Sequence, residues 1–442
     1  MKIAFYNLGC KVNAYETEVI KNKFILNGFD LVDFNDNADI YVVNTCSVTH
    51  IADRKSRNIL RRCKKNNKNS IVVAVGCFVN SLNEDEKLKL SKDIDIFITN
   101  NDKNNIVFFI ENYIKEINYY NSILDINNEL NIEINNEIIN DLSHDTNNNL
   151  NFNIRKFLKI QDGCNQYCSY CIIPYLRSNL YEKPISLVLN EANDAVENGA
   201  KEIVLTGIHL SSYKNINKLL IEIAKIEGLL RIRIGSLEPR IINDNFLNIF
   251  DNKLLRDKFC FEFHLSLQSA SNNILKKMNR HYTKEEYKKS CDLIRKNFNN
   301  TLISTDIIVG FPGESDEDFN ETLNFVKEIK FYNPHIFSYS KRKGTKASLM
   351  TNQIADSIKK QREKILINES NIISNNIKKT LLNSKREILV EEIIENVNGT
   401  FLSGFTKEYV KVLAKGDKYL LGAETLVKLV DIKPNYILAN CV

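Results

Sequence analysis

The sequence predicts an α/β protein in three parts: an N-terminal doubly wound parallel sheet, a central partial TIM-like (β/α)6 barrel and a small C-terminal β-barrel. Continuous apolar runs alternate with helical spacing over the first hundred or so residues, and a second such series starts near residue 155. This alternation is typical of parallel strands covered by helices on both faces. From about residue 386 the pattern changes to short β-rich runs with turn signals.

The N-terminal series contains four predicted strands and three predicted helices. The strands are residues 3–8, 39–43, 70–75 and 95–98, and the helices are residues 15–27, 54–65 and 105–119. The stretch 121–153 is rich in Asn without a clear period, and we interpret it as a linker. The N-terminal domain is therefore assigned to residues 1–120.

The central series fits six β/α units. Its predicted strands are residues 157–160, 202–206, 231–235, 261–267, 304–309 and 335–339, and its helices include 187–197, 218–226, 284–296 and 316–329. An open doubly wound sheet would give a similar pattern, and in either fold the reactive centre lies at the carboxyl ends of the strands. With trailing helices this domain covers residues 154–382. The β-rich end, residues 383–442, has the shape class of oligonucleotide-binding folds.

Composition describes an ordinary protein that can bury a sizeable core, with 43% hydrophobic and 26% charged residues. The net charge of +5 suits a nucleic-acid partner but does not indicate one by itself. No apolar run is long enough to span a membrane, and too few residues precede Cys10 for a signal peptide, so we expect a cytoplasmic protein without a membrane partner. Ten cysteines in a reducing compartment favour metal or catalytic roles over disulfides.

The most specific motif is a three-cysteine loop directly after the predicted strand 157–160. Cys164, Cys168 and Cys171, called the loop trio below, have the spacing Cys-x3-Cys-x2-Cys. A [4Fe–4S] cluster is ordinarily held by four cysteines, so three ligands leave one iron open to a substrate such as S-adenosylmethionine (SAM). A zinc site with a distant fourth ligand is the alternative, although zinc sites usually pair two Cys-x2-Cys units and no second unit is present.

A second set of three cysteines lies at equivalent places in the N-terminal series. Cys10, Cys46 and Cys77, called the sheet trio below, each follow the carboxyl end of a predicted parallel strand, and such ends converge on one crevice. Gly9 and Gly76 allow the backbone to approach a bulky inorganic group closely. The arrangement favours a second cluster, with three unrelated buried thiols as the alternative.

Two segments at the ends of predicted central strands are candidates for SAM contact. Thr206 and Gly207 end the second strand, where a backbone edge can meet the methionyl moiety of SAM. Asp306 lies in the fifth strand and Gly310 follows it, so that adenine can lie against the main chain there. A loop turn is the alternative for each glycine.

Other polar residues carry weaker signals. Gln268 is a further candidate for SAM contact near a strand end, although a surface position is the simple interpretation for it and for Arg177. His264 and His335 alternate with apolar residues and are interpreted as core or cavity-edge side chains. The basic run 54–65 can bind phosphates, but such a run is usually a solvated face. The remaining thiols show no ligand spacing and are interpreted as structural: Cys63, Cys260, Cys291 and Cys441.

These motifs together resemble the methylthiotransferase family of radical SAM enzymes, almost from end to end. Gly-Cys10-Lys-Val-Asn, Asn-Thr-Cys46 and Val-Gly-Cys77 resemble the cluster-binding domain of that family. The stretch from Cys164 through Cys171-Ile-Ile-Pro-Tyr resembles its radical SAM motif. Further matching segments are residues 205–209, 278–282 and 306–314. The end of the chain, from about residue 385, resembles the family's small RNA-binding β-barrel, known as TRAM.

The resemblance implies two [4Fe–4S] clusters, one on each trio, with SAM as cofactor. In such enzymes the sheet trio's cluster presents sulfur that one SAM methylates, and the loop trio's cluster reduces another SAM to a 5′-deoxyadenosyl radical. No side chain acts as an acid or base, because the clusters carry the chemistry. The implied partners are a tRNA anticodon stem-loop, an electron donor of the flavodoxin or ferredoxin type, and a sulfur source that the sequence leaves open.

The substrate branch is indicated by fewer residues. Gly-Cys10-Lys-Val-Asn and Leu-Thr-Gly-Ile-His209 are similar to the branch that acts on threonylcarbamoyladenosine in tRNA. The isopentenyladenosine branch typically begins Gly-Cys-Gln-Met-Asn, and the ribosomal-protein branch Gly-Cys-Pro-Lys-Asn. Those two substrates, a radical SAM methyltransferase without sulfur insertion, and a non-catalytic metal-containing RNA-binding protein are the alternatives. Departures from the family pattern, none at a cluster ligand, are Ala14, Leu176, Ser178, Ser266 and Ala270.

Overall fold

The computed structural model describes residues 1–128, 154–397 and 399–442, which form two compact units. The first unit contains residues 1–47 and 51–128, and the second contains residues 48–50, 154–397 and 399–442. Within these ranges, no helix is both long and apolar enough to cross a membrane. The predicted linker starts inside a helix that continues to Asn128, and its remainder, residues 129–153, lies outside the described residues.

The first unit is a five-stranded parallel sheet between helices. Its elements are β1 (Lys2–Asn7), α1 (Lys11–Leu26), β2 (Asp30–Val32), β3 (Ile40–Thr45), α2 (His50–Asn66), β4 (Ile71–Gly76), α3 (Cys77–Asn80), α4 (Glu84–Leu90), β5 (Ile96–Ile98) and α5 (Ile106–Asn128). The strand order is β2-β1-β3-β4-β5, and every pairing is parallel. The predicted parallel sheet is therefore confirmed, with β2 as an edge strand that the sequence did not predict.

Every residue of β3 and β4 is buried, because helices cover both faces of the sheet. Alternate side chains of β4 enter two different hydrophobic clusters, as expected where successive side chains point to opposite faces. Phe24 of α1 and Ile110 of α5 join one cluster, and Leu60 of α2 joins the other. Because β1, β3 and β4 are neighbours, their carboxyl ends lie side by side, and the strand order reverses between β1 and β3.

The second unit begins with a series of parallel strands and helices. Its elements are β6 (Arg155–Asp162), α6 (Ile173–Leu176), β7 (Tyr181–Glu182), α7 (Ile185–Glu197), β8 (Glu202–Gly207), α8 (Ile216–Ala224), β9 (Arg231–Ile234), α9 (Asp244–Leu247), α10 (Lys253–Lys258), β10 (Glu262–His264), α11 (Asn272–Lys277), α12 (Lys284–Asn297), β11 (Leu302–Ser304), β12 (Asp306–Val309), α13 (Asp316–Ile329), β13 (His335–Ser338) and α14 (Asp356–Leu381).

Apart from the short strand β7, which pairs antiparallel with β6, parallel pairing runs through this series in chain order. Ladders join β6 to β8, β8 to β9, β10 to β11 and β12 to β13, and single parallel bridges connect the neighbouring groups. All six predicted strands are present, the fifth being divided into β11 and β12. No ladder among the described residues joins β13 back to β6, so the assignment to a partial TIM-like barrel stays a prediction.

Five strands at the end of the chain form a closed barrel, β14-β15-β16-β18-β17. They are β14 (Lys385–Asn396), β15 (Gly399–Thr406), β16 (Lys411–Lys415), β17 (Glu424–Ile432) and β18 (Ile437–Cys441). Arg231 at the start of β9 donates to the Phe405 carbonyl oxygen and to Glu424, both at 2.6 Å. Arg155 at the start of β6 donates to the Tyr409 hydroxyl at 3.2 Å. The closed barrel therefore docks at the amino ends of the parallel strands.

Candidate metal centres

The loop trio lies between the end of β6 and α6, at the carboxyl end of the first strand of the series. The Cys171 N–H donates to the Cys168 carbonyl oxygen at 2.9 Å, and the Cys164 N–H donates to the Arg177 carbonyl oxygen at 3.3 Å. Tyr167 has a φ of 47°, which turns the chain just before the second cysteine. The loop thus folds back on itself, and none of its three cysteines forms a disulfide within the described residues.

The three sulfur atoms of the loop trio are close enough to influence one another's ionisation. Burial raises the pKa of the Cys164 thiol and raises that of Cys171 to about 12. Negative charge on Cys168 raises both further. Three thiolates can coexist here only with a cation, and a coordinating metal deprotonates its thiol ligands outright. This donor set of neighbouring cysteines therefore fits a metal cluster, which would hold its thiol ligands deprotonated.

Arg280 contacts the loop trio, which the spacing of the sequence did not indicate. Its Nη1 lies 3.3 Å from the Cys168 sulfur, and its Nε donates to the Tyr282 hydroxyl at 3.0 Å. The Tyr282 hydroxyl in turn donates to the Leu267 carbonyl oxygen at 2.8 Å. The guanidinium is thus held by neighbours while one N–H faces a candidate ligand sulfur. The only sequence signal for Arg280 was its place in the family-like segment 278–282.

The end of β8 lies next to the loop trio. Gln161 donates to two carbonyl oxygens just ahead of the trio, both at 2.8 Å, and accepts from the His209 N–H at 2.7 Å. A Cβ on Gly207 would lie 3.1 Å from Gln161 Oε1, so these segments approach closely. Both ring nitrogens of His209 are buried without a hydrogen-bond partner among the described residues, and Nε2 is 3.9 Å from Glu238 Oε2. Such orphaned polar atoms fit a polar ligand like SAM.

Asp306 and Gly310, the candidate SAM contacts of the fifth strand, both contact other residues of this chain. Asp306 lies between His264 Nε2 at 3.1 Å and His335 Nδ1 at 3.2 Å. Burial disfavours the Asp306 carboxylate, but the hydrogen bonds from both imidazoles outweigh burial and hold its pKa below its usual range. Gly310 has a φ of +69°, and a Cβ there would lie 2.3 Å from Lys359 Cγ of α14. Packing against α14 therefore requires this glycine without any ligand.

The surface positions predicted for Gln268 and Arg177 are wrong. Gln268 is 8% exposed, and its N–H donates to the Asp306 carbonyl oxygen at 2.8 Å. Arg177 is 5% exposed and holds both carboxylate oxygens of Asp162 at 3.0 Å. Gln268 forms a parallel bridge with Ile307 of β12, and Arg177 directly follows α6. Thr206 is buried at the end of β8, and all five candidate SAM contacts stay predictions.

The sheet trio occupies the neighbouring ends of β1, β3 and β4. Cys10 is exposed and directly precedes α1, Cys46 is half-buried and follows β3, and Cys77 is buried at the start of α3. The Asn13 side chain donates to the carbonyl oxygens of Leu8 at 2.7 Å and Thr45 at 3.0 Å. This side chain therefore ties the backbone ahead of Cys10 to the backbone ahead of Cys46.

Gly9 permits this approach. Its φ is +110°, and a Cβ there would lie 3.0 Å from Cys46 Cβ and 3.2 Å from Cys46 Sγ. On the other side of the sheet trio, Asn100 Nδ2 lies 3.6 Å from the Cys77 sulfur. The structure thus brings the predicted cysteines to one edge of the sheet with an amide donor beside one sulfur, a donor set that fits an iron–sulfur group.

The architecture and the loop trio define the class of protein. Residues 158–326 match the family model "Radical SAM superfamily", and residues 2–99 match "Uncharacterized protein family UPF0004". The radical S-adenosylmethionine methyltransferase TsrM from Kitasatospora setae has a similar fold, with a TM-score of 0.53 and 14% identity over 76% of this chain and 74% of that chain. Proteins of the radical SAM class use a [4Fe–4S] cluster and SAM.

Relatives with named activities indicate a family within the radical SAM class. The threonylcarbamoyladenosine tRNA methylthiotransferase MtaB of Bacillus subtilis is 36% identical over 98% of this chain and 94% of its own length, and that of Aquifex aeolicus is 39% identical over 83% and 87%. The tRNA-2-methylthio-N(6)-dimethylallyladenosine synthase of Endomicrobium trichonymphae is 32% identical over the full length of both chains. The chain belongs to the methylthiotransferase family of radical SAM enzymes, as its motifs indicated, and is a transferase.

Proposed function

We propose that the chain converts threonylcarbamoyladenosine next to the anticodon of tRNA to its 2-methylthio derivative, in the cytoplasm. Its similarity to the relatives named for that substrate carries the proposal: 36% and 39% identity, over 98% and 83% of the chain. Relatives named for dimethylallyladenosine are 31% to 34% identical and those named for ribosomal protein uS12 are 33% identical, while a third relative named for threonylcarbamoyladenosine, from Thermotoga maritima, is 31% identical. The segments around Cys10 and His209, which are similar to the threonylcarbamoyladenosine branch, support the same choice.

The proposal includes two [4Fe–4S] clusters, one on the loop trio and one on the sheet trio. An adenine C2–H offers no acidic proton, so acid–base side chains cannot replace this hydrogen with sulfur. When bound, the clusters would supply the electron and the sulfur for this replacement. The loop trio supplies three ligands, so SAM can complete the fourth iron. Solvent exposure in the sheet trio decreases from exposed Cys10 to buried Cys77. A substrate would therefore reach this cluster from the side of Cys10.

Residues of the chain around the loop trio would bind and orient the cluster and SAM. Arg280 donates a hydrogen bond to the sulfur of Cys168, and Gln161 fixes the end of β8 against the loop trio. His209 places two buried ring nitrogens without hydrogen-bond partners among the described residues beside the end of β8, where they would bind polar groups of SAM. Thr206 and Gly207 at the end of β8 would contribute a backbone edge that meets SAM.

The partners follow from this chemistry. A base in a single-stranded loop can be splayed out of its stack at a cost of about a few kcal/mol, so the anticodon loop is an accessible substrate. The closed β-barrel, as a TRAM-like module, and basic surfaces hold the RNA chiefly through phosphates. Turnover also requires an electron donor of the flavodoxin or ferredoxin type and a source that replaces the transferred sulfur.

Mass spectrometry of tRNA nucleosides, from cells with and without the gene, tests the substrate. We expect the 2-methylthio derivative of threonylcarbamoyladenosine to disappear without the gene and to return with the intact gene, but not with a Cys168→Ala copy. Unchanged levels of this nucleoside overturn the proposal. Loss of 2-methylthio-dimethylallyladenosine from the same digests, or of the modified mass of ribosomal protein uS12, would assign the chain to another branch.

A further inference from the structure

Helix α2 concentrates the positive charge of the chain. It carries seven lysine or arginine residues and one aspartate over 17 residues, a net charge of +6. The whole chain of 442 residues has a net charge of only +5. The rest of the protein is therefore nearly neutral, and a polyanion would meet its strongest attraction at this helix.

The basic residues of α2 share one exposed face. The opposite face is buried against the sheet through Ser56, Leu60 and Cys63, and the helix's only acidic residue, Asp53, is buried too. The exposed basic residues are Arg54, Lys55, Arg57, Arg61, Arg62 and Lys65. With a rise of ~1.5 Å per residue, they extend over about 16 Å.

This face differs from an ordinary solvated helix surface. Solvated helices usually place opposite charges three or four residues apart, and like charges at that spacing destabilise a helix. Here Arg57 and Arg61, and likewise Arg61 and Lys65, are like-charged pairs four residues apart. Arg61 has a partner on a neighbouring loop in Asp93, at 3.2 Å, but Arg54 and Lys65 have no ionic partner among the described residues. A bound polyanion would relieve this repulsion.

The basic face is connected to the sheet trio. The Ser56 hydroxyl donates to the Cys46 carbonyl oxygen at 3.1 Å, and the helix begins four residues after Cys46. Arg57 lies over the ring of Phe78, the residue after Cys77, with its guanidinium carbon 5.3 Å from the ring centre. The exposed face of α2 is therefore linked through Arg57 to the segment that contains Cys77.

We propose that the exposed face of α2 binds the phosphates of the tRNA anticodon stem. This inference rests on the proposed function and assigns it a substrate-binding surface. Lysine and arginine side chains bind RNA phosphates without reading sequence, so α2 positions the stem while other contacts select the base. Each phosphate neutralised releases counterions, which makes the contribution of α2 dependent on salt.

The test compares two triple variants with the same change in charge. Arg54→Gln/Lys55→Gln/Lys65→Gln removes three exposed charges of α2, and Lys253→Gln/Lys289→Gln/Lys296→Gln removes three exposed lysines of α10 and α12. Binding of a fluorescent anticodon stem-loop RNA to the intact chain is measured by anisotropy at several salt concentrations. We expect the α2 variant to bind about 10-fold or more weakly, with a salt slope smaller by about 2, and the control variant to bind within about twofold of the parent.

Thermal unfolding separates loss of binding from loss of folding. The α2 variant should unfold at the same or a higher temperature than the parent, because it removes like-charge repulsion. Equal affinity and equal salt slope for the α2 variant and the parent overturn the inference and leave the proposed function intact. The same holds if the control variant loses as much affinity as the α2 variant. If the parent chain binds no stem-loop RNA, the proposed tRNA substrate fails, and the inference with it.

Discussion

The two cysteine trios reach similar donor sets by opposite routes. The loop trio comes from one stretch, Cys164 to Cys171, whose turns are made by local hydrogen bonds within the loop. The sheet trio comes from the ends of three strands, and its cysteines share one edge of the sheet only because β3 pairs with both β1 and β4. The first site is a property of a short sequence, whereas the second is a property of the fold.

This difference shows which substitutions would disrupt each trio. In the loop trio, the cysteines themselves are the specific feature, and the partner that the fold adds is the guanidinium of Arg280. In the sheet trio, residues that carry no ligand atom hold the strands' ends together: Gly9 permits the close approach and Asn13 bridges two backbones. Changes outside the cysteines should therefore damage the sheet trio more than the loop trio.

The largest expected effect separates the roles of the two trios. Cys168→Ala should abolish the formation of 5′-deoxyadenosine from SAM, because the loop trio loses a cluster ligand. Cys46→Ala should still form 5′-deoxyadenosine but yield no methylthiolated tRNA. Cys63→Ala, which removes a buried thiol of α2 outside both trios, is the control and should retain both products. If Cys46→Ala still gave the methylthiolated product, the sheet trio would have no part in sulfur transfer.

An intermediate effect is expected at Gly9. Gly9→Ala places a Cβ at a φ of +110° against Cys46, so we expect a loss of about 2–3 kcal/mol in the free energy of unfolding and a lower iron content. Gly28→Ala is a matched control, because its φ is +78° but no atom lies within 4 Å of the new Cβ. It should cost about 1 kcal/mol and leave the iron content unchanged. Denaturant titration and iron analysis measure both quantities, and equal behaviour of the two variants would contradict the close approach.

The smallest expected effect concerns Arg280. Arg280→Gln removes a charged hydrogen-bond donor from the Cys168 sulfur, so the reduced cluster loses stabilisation and its reduction potential should fall. A loss of ~1.4 kcal/mol corresponds to about 60 mV for one electron. Redox titration followed by electron paramagnetic resonance measures this shift, and Arg280→Lys, which keeps the charge, should shift less. An unchanged potential in Arg280→Gln would mean that this contact does not act on the cluster.

Much of the fold was predictable from local pattern. The strands that became β3 and β4 are continuous apolar runs, and burial on both faces is the reason for that pattern. The rule that parallel strands share their carboxyl ends then placed Cys46 next to Cys77. The edge strand β2 was missed because it has three residues, two of them exposed, and so has no apolar period. Helix α1 begins at Lys11, four residues before its predicted start.

The residues that contact the candidate site residues were less predictable, because these contacts join segments that are distant in the sequence. Arg280 reaches Cys168 from 112 positions away in the sequence, and no spacing rule predicts such a pair. Arg177 was interpreted as a surface residue because charged side chains are mostly exposed, yet Asp162 neutralises it in a buried position. The role of Gly310 as a SAM contact stays a prediction, but its close packing against Lys359 of α14 could not be predicted, because that helix lies far along the chain.

If the two trios hold their clusters independently, a chain that lacks one trio keeps the cluster of the other, and iron analysis of such a variant tests this. The chain with Cys164, Cys168 and Cys171 all replaced by Ala is purified and reconstituted without oxygen, and iron and sulfide are measured per chain beside the parent. We predict about eight irons for the parent and about four, with matching sulfide, for the variant. A variant that binds no iron, or a parent that binds only about four, would contradict the claim.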